Sequence, residues 1–109
     1  MSRRLKFIVN KQIISPDPDC DFAALVPGSN DYLEAEFSFS SDWDECAKVV
    51  AFYSMFGEEY TPQILSENIC TIPQEALKRQ KFKIQVIGKK DQYGLSTNKL
   101  VISQNGGIE

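Results

Sequence analysis

The stretch Leu33-Glu34-Ala35-Glu36-Phe37-Ser38-Phe39 decides the fold. Leu33, Ala35, Phe37 and Phe39 fall on one side of an extended chain. Tyr32, Glu34, Glu36 and Ser38 fall on the other. Side chains of a strand alternate between two faces, so this period of two, apolar on one side only, reads as a strand with one face in a core and one in water.

The same pattern extends in both directions. Upstream, Leu5, Phe7 and Val9 alternate with Lys6, Ile8 and Asn10, and a strand is expected over residues 5–14. Ser15-Pro16-Asp17-Pro18-Asp19 ends it, and residues 20–31 read as irregular around a second turn cluster, Pro27-Gly28-Ser29-Asn30-Asp31. Downstream, Ser40 to Glu45 is a link, and the β-branched and aromatic run Ala47 to Met55 is a strand, with Gly57-Glu58-Glu59 turning the chain. Tyr60–Leu65 and Asn68–Ile72 read as two short strands of a hairpin joined by Ser66-Glu67. Pro73 to Arg79 is the one helical signal, with Pro leading, Glu75 in the first turn and Lys78-Arg79 at the end. Phe82, Ile84 and Val86 alternate with Lys83, Gln85 and Ile87 in a strand ending at Gly88. Lys89 to Gly94 is a turn, and residues 97–103 form a closing strand. About seven short strands with turn signals every ~8–12 residues predict an all-β antiparallel sandwich with one short helical turn. Residues 1–104 form its single domain, and residues 105–109 a flexible C-terminal tail.

Composition sets the limits of the chemistry. The 109 residues are 42% hydrophobic and 25% charged, the balance of one ordinary globular domain. There is no histidine, which removes every mechanism built on imidazole. Cys20, Cys46 and Cys70 are odd in number and lack CxxC spacing, so neither a disulfide framework nor a zinc site is expected. Cys70, within Ile69-Cys70-Thr71-Ile72, reads as a buried free thiol; the spacing leaves a Cys20–Cys46 pair open. Asp42, Asp44 and Glu45 crowd around Trp43, and Asp17, Asp19 and Asp21 alternate. The first set lacks the spacing and the loop glycine of an EF-hand, and in the second the intervening Pro18 and Cys20 break the ligand geometry of a calcium site. Ser40 and Ser41 have no base to activate them, and Gly106-Gly107 lacks the lysine and helix of a phosphate loop. The reading is therefore a protein without catalytic residue, metal or cofactor, not an enzyme. Met1-Ser2-Arg3-Arg4 is followed by no apolar run, so no signal peptide, no membrane span and a reducing cytoplasm are expected.

The net charge of −3 is unevenly spread. Residues 1–16 carry +4, residues 17–75 carry −12 and residues 76–108 carry +6. One reading pairs strands from the ends with strands from the middle. The other is a bipolar surface that docks on copies of itself or on a charged partner. Nucleic acid is not an expected partner, because the basic residues do not interleave with aromatics and the pI is near 5. Tyr32, Trp43, Tyr53, Tyr60 and Tyr93 are the amphipathic aromatics from which a sugar platform would be built.

From Phe37 onward the landmarks have a familiar order. They are Phe39 with Asp42-Trp43-Asp44, then Lys48 to Phe52, then Cys70-Thr71-Ile72-Pro73-Gln74-Glu75-Ala76-Leu77. Phe82 to Gly88 follows, and Ser96-Thr97-Asn98 comes before the closing strand. The set, covering about two thirds of the chain, resembles a small immunoglobulin-like domain of tail, baseplate and fibre proteins from phages and prophages of Gram-positive bacteria. The resemblance implies an immunoglobulin-like sandwich that attaches or presents another virion part, made in the bacterial cytoplasm and carried in the virion. It implies no catalytic residue. On this reading Phe37, Phe39, Trp43, Phe52, Cys70, Ile72, Phe82, Ile84 and Val86 form the core. Ile8, Tyr53 and Ile87 are candidate interface residues on edge strands, and other virion proteins or further copies of the chain are the partners. Two alternatives are a small phage protein that blocks a host enzyme or defence system through its acidic middle, and a carbohydrate-binding module.

The alternating strands and unpaired cysteines predict cooperative folding without metal or disulfide. Circular dichroism in chelator and reductant is expected to keep a strand spectrum and one melting transition. A helical spectrum, or unfolding on chelation, contradicts this.

Overall fold

The alternating stretches become strands. The structure, a computed structural model, describes residues 3–20, 33–77 and 81–103. Among these residues there are nine strands: β1 (Arg3–Asn10), β2 (Ile13–Pro16), β3 (Leu33–Phe39), β4 (Ala47–Tyr53), β5 (Gln63–Ile64), β6 (Ile69–Thr71), β7 (Lys81–Lys90), β8 (Tyr93–Ser96) and β9 (Leu100–Ser103). A 3-10 turn, Ser41–Trp43, lies between β3 and β4, and one helical turn, α1 (Gln74–Leu77), lies between β6 and β7. No helix among the described residues is long and apolar enough to cross a membrane.

Two sheets face each other. Sheet I has the order β2-β1-β3-β6; sheet II has the order β5-β4-β7-β8, with β9 continuing along the same edge of β7 as β8. The chain crosses from β3 to β4, returns from β5 to β6, and crosses again from β6 to β7 through α1. That alternation of β3 and β6 in one sheet with β4 and β7 in the other makes the fold an all-β sandwich of two packed sheets. Every strand pair is antiparallel except β1 with β3, which run parallel from Arg3↔Leu33 to Val9↔Phe39. Parallel neighbours need a long connection. Here β2 lies on the far side of β1 from β3. The loop at residues 15–31 and the tail at 105–109 fall largely or wholly outside the described residues.

The core lies between the sheets. Leu5, Phe7, Val9, Ile14, Ala35, Phe37 and Cys70 enter it from sheet I; Val50, Phe52, Phe82, Ile84, Val86 and Ile102 enter from sheet II, with Ile72 and Ala76 added by the crossing. Phe39 packs against this cluster while half-buried. Phe7, Phe37, Phe39 and Trp43 form a run of rings with successive centroids 5.3, 5.9 and 5.4 Å apart. Trp43 is fully buried. Its indole Nε1 donates to the Lys11 carbonyl at 2.7 Å, so the ring fills space and satisfies its polar atom at once. Lys11 offers that carbonyl from the two-residue β1–β2 turn, where it takes a left-handed φ of 57°. On the other side the ring lies close against β7 at Gly88. A Cβ at Gly88 would stand 2.6 Å from Trp43 Cζ3 and 2.7 Å from Cε3.

A second set of bonds closes one flank of the sandwich. Between β8 and β9, the Thr97 N–H donates to the Val86 carbonyl at 3.0 Å, and Thr97 Oγ1 accepts from the Val86 N–H at 3.0 Å. The side chain thus completes the ladder of β7 where the edge strand kinks. Asn98 then reaches sheet I. Its N–H donates to the Gln12 carbonyl at 3.1 Å, and its Oδ1 accepts from the Ile14 N–H at 2.9 Å. Gln12 Nε2 answers with a bond to the Ser96 carbonyl at 3.2 Å.

Several sequence expectations change in detail. The strand over residues 5–14 is a hairpin, because the left-handed Lys11 turns the chain. The 60–72 segment is not a hairpin: β5 pairs with β4 and β6 pairs with β3, so the turn between them passes from sheet to sheet. The strand expected to stop at Gly88 runs on to Lys90 and pairs with β8, which occupies part of the expected turn. Gly88 ends nothing; it makes room for the indole.

Gly88→Ala is expected to cost about 1–3 kcal/mol, the scale of overpacking. Trp43→Ala is expected to cost about 3–5 kcal/mol, the scale of deleting a large aromatic. The double variant should lose less than the sum, because removing the ring removes the clash. Denaturant unfolding of the four proteins checks this; strict additivity contradicts the contact.

Candidate interaction surface

The two outer faces differ in chemistry. On sheet I, Arg4 stands opposite Glu34 and Lys6 opposite Glu36 in the β1–β3 register. Arg4 reaches both carboxylates, Nε to Glu34 Oε1 at 3.4 Å and Nη1 to Glu36 Oε1 at 3.3 Å. Such half-exposed pairs each contribute about 0–1 kcal/mol, but together they neutralise the face. The basic start of the chain is matched here by the acidic middle. Ile8 is half-buried on this face, between Ser15 and Ser38 in register.

Sheet II is built otherwise. Its strands contain five lysines (Lys48, Lys81, Lys83, Lys89 and Lys90) and no Asp or Glu. Alternation with buried Phe82, Ile84 and Val86 turns Lys81, Lys83, Gln85, Ile87 and Lys89 outward. The register aligns Ile64 with Val49, Val49 with Ile87, and Ile87 with Ser96, so an apolar row crosses β5, β4 and β7 on the outer surface. Ile64 is 80% exposed and Ile87 40%. Ala47 and Lys89 form the next row on one side. On the other side, past Ala51 and Gln85, stand Tyr53, Lys83 and Val101, the last 43% exposed. Lys90 pairs with Glu45 at 2.7 Å, whereas Lys81, Lys83, Lys89 and Lys99 form no ion pair among the described residues.

Tyr53 is held in place on this face. Its hydroxyl donates to Gln85 Oε1 at 3.1 Å, and Lys99 Nζ stands 4.2 Å from its ring centroid. Partial burial, and then nearby Glu59, raise its phenol above the usual range. Tyr53 and Ile87 therefore share the outer face of sheet II, and Ile8 lies on the opposite sheet. None of the three stands on an edge strand. β2 covers β1, β5 covers β4, and β7 is central. The covering strands are four and two residues long, too short to mark themselves by alternation.

The other sequence candidates disperse. Asp42, Asp44 and Asp91 line a shallow depression with Lys90, and Ser40 Oγ donates to Asp42 Oδ2 at 3.0 Å. Asp17 Oδ1 accepts from the Asp19 N–H at 2.9 Å within a local turn, and Asp21 lies outside the described residues. Among the described residues no three His, Cys, Asp or Glu side chains are grouped to hold a metal. Of the amphipathic aromatics, Trp43 and Tyr60 are buried, and Tyr32 lies outside the described residues. Cys20, Cys46 and Cys70 are not joined in a disulfide among the described residues.

What sequence reading missed is the tip between β4 and β5. Phe56 is 88% exposed there, and Met55 is exposed beside it. The turn is held by buried Ser54, whose Oγ accepts from the N–H groups of Phe56 at 3.2 Å and Glu58 at 3.0 Å. The signal available was the apolar pair Met55-Phe56 directly before a turn glycine, Gly57, whose φ is +92°.

Comparisons with protein-family models, with curated proteins and with solved structures return no match for this chain.

Burial, and then Glu34, push the Cys70 thiol from its ordinary value of 9.0 up to about 12. The folded protein holds this proton where the unfolded chain releases it. The associated stability is intact below the ordinary thiol pKa and is lost as pH rises from there toward the folded value. Melting temperature is expected to fall in that alkaline window, and Cys70→Ala to flatten the fall. With iodoacetamide at neutral pH, mass spectrometry should find Cys20 modified and Cys70 protected until the protein unfolds.

Proposed function

We propose that the protein is a non-enzymatic binding module, a structural or attachment part of a phage virion (tail, baseplate or fibre). It joins other virion proteins or copies of itself through the outer face of sheet II. The observation that carries the binding reading is the row Ile64–Val49–Ile87 on that face. The solvated side of an antiparallel sheet is ordinarily polar, and an apolar row with lysines around it is the composition of a contact surface. On the outer face of sheet I Glu34 and Glu36 are engaged by Arg4, which weakens the alternative of an acidic inhibitor. Burial of Trp43 and Tyr60 in turn weakens the sugar platform.

The virion part of the reading rests on the sequence landmarks. Several of them have structural tasks in an immunoglobulin-like sandwich: Asp42-Trp43-Asp44 seats the indole, the segment after Cys70 makes the sheet crossing, and Thr97-Asn98 closes the flank. A module stabilised in this way keeps its faces and loops free for attachment.

Antibody labelling of intact particles in the electron microscope tests the role, with label expected on tail structures. Chain recovered only from the soluble fraction of infected cells, with unlabelled particles, rules it out. The paired substitution Ile64→Ser with Ile87→Ser is expected to change stability by about 1 kcal/mol or less, as surface changes do, while removing the chain from particles.

A further inference from the structure

Phe56 is the most exposed large apolar side chain among the described residues. Its turn is rigid. Besides the two bonds to Ser54 Oγ, the Ser54 N–H donates to the Glu58 carbonyl at 2.8 Å and the Gly57 N–H to the Ser54 carbonyl at 3.1 Å. An aromatic held out in water by a fixed turn loses little freedom on docking, which is the condition for an effective anchor. Glu58 and Glu59 follow it on the same turn, both exposed. The tip therefore joins an apolar knob to two carboxylates.

The outer face of sheet II is its complement, an apolar row with unpaired Lys83 and Lys89 to either side. On one molecule the two features stay apart. Val49 and Tyr53 are four residues apart along β4, or about 13 Å, and the tip lies beyond Tyr53. We infer that the Met55-Phe56 tip of one copy docks on the Ile64–Val49–Ile87 row of the next, head to tail, with Glu58 and Glu59 of one copy against the lysines of the other. The inference rests on the reading of that face as a docking surface and names its occupant. Because the two contacting surfaces differ, copies joined by a single such contact keep one free tip and one free face between them, so the assembly closes into a ring or grows into a fibre.

Sedimentation velocity on three proteins tests this: wild type, a tip variant (Phe56→Asp) and a face variant (Ile64→Asp with Ile87→Asp). Circular dichroism melts establish that each is folded. Wild type is expected to gain mass with concentration, less so at high salt. Each variant alone should associate roughly 30-fold more weakly or worse, the scale of a central aromatic anchor. An equal mixture of the two should form a heterodimer and stop, because only one tip and one face remain intact. A monomeric wild type at high micromolar concentration and low salt overturns the inference. So does a tip variant that associates like wild type, or a mixture that stays monomeric. Each of these leaves the particle-labelling result standing, which separates failure of this inference from failure of the proposed role.

Discussion

One indole ring fixes how the two sheets meet. Trp43 enters from the link between β3 and β4, donates its N–H to the turn between β1 and β2, and lies on β7 at the one residue without a side chain. Three segments distant in sequence are thereby placed at one end of the sandwich. The ring needs the left-handed Lys11 to present its carbonyl and needs Gly88 to leave space. It also ends the run of rings from Phe7 to Phe39, so the packing of sheet I depends on the same position. Bonds at the flank complete the task. Asn98 satisfies the Ile14 N–H of β2 and the Gln12 carbonyl of the turn before it, and Thr97 does the same for Val86 of β7.

The distribution of charge follows from this architecture. Parallel pairing sets β1 beside β3, so the basic residues of the N-terminal strand meet the acidic residues of the middle. The later lysines fall in a sheet whose strands contain no acid, and only Lys90 finds a carboxylate among the described residues. One face is therefore internally balanced and the other is not. The sequence totals by segment are consistent with either arrangement; the register separates them.

Much of the fold was legible. The alternation in Leu33–Phe39 and in Phe82–Val86 correctly placed two inner faces, and the Pro73 signal located the helical turn. Trp43, expected in the core, is fully buried. What failed to show had physical reasons. β5 has two residues and β2 four, below the length at which a period is visible. Gly88 has the sequence signature of a strand end, and only the position of a residue 45 places earlier in the chain gives it another meaning. The candidate surface was legible in part. Ile87 and Tyr53 were singled out in the sequence, but the row Ile64–Val49–Ile87 is made by register across three strands, which no single strand encodes. Phe56 was overlooked because it falls between the strand read to Met55 and the turn read from Gly57, and belongs to neither.

The parallel pairing of β1 and β3 has a consequence for the order of events in synthesis. β1 is made before β3, and residues 11–32 lie between them. Until Phe39 has been synthesised, Leu5, Phe7 and Val9 have only the four residues of β2 beside them, and a lone hairpin is marginal in water. The entropy of closing the intervening loop rises only slowly with its length, so the equilibrium cost is small. The delay is kinetic, since a non-local parallel contact forms late. During that interval the nascent N-terminal hairpin carries the longest apolar strand edge in sheet I, and it is there that two growing chains would first exchange partners.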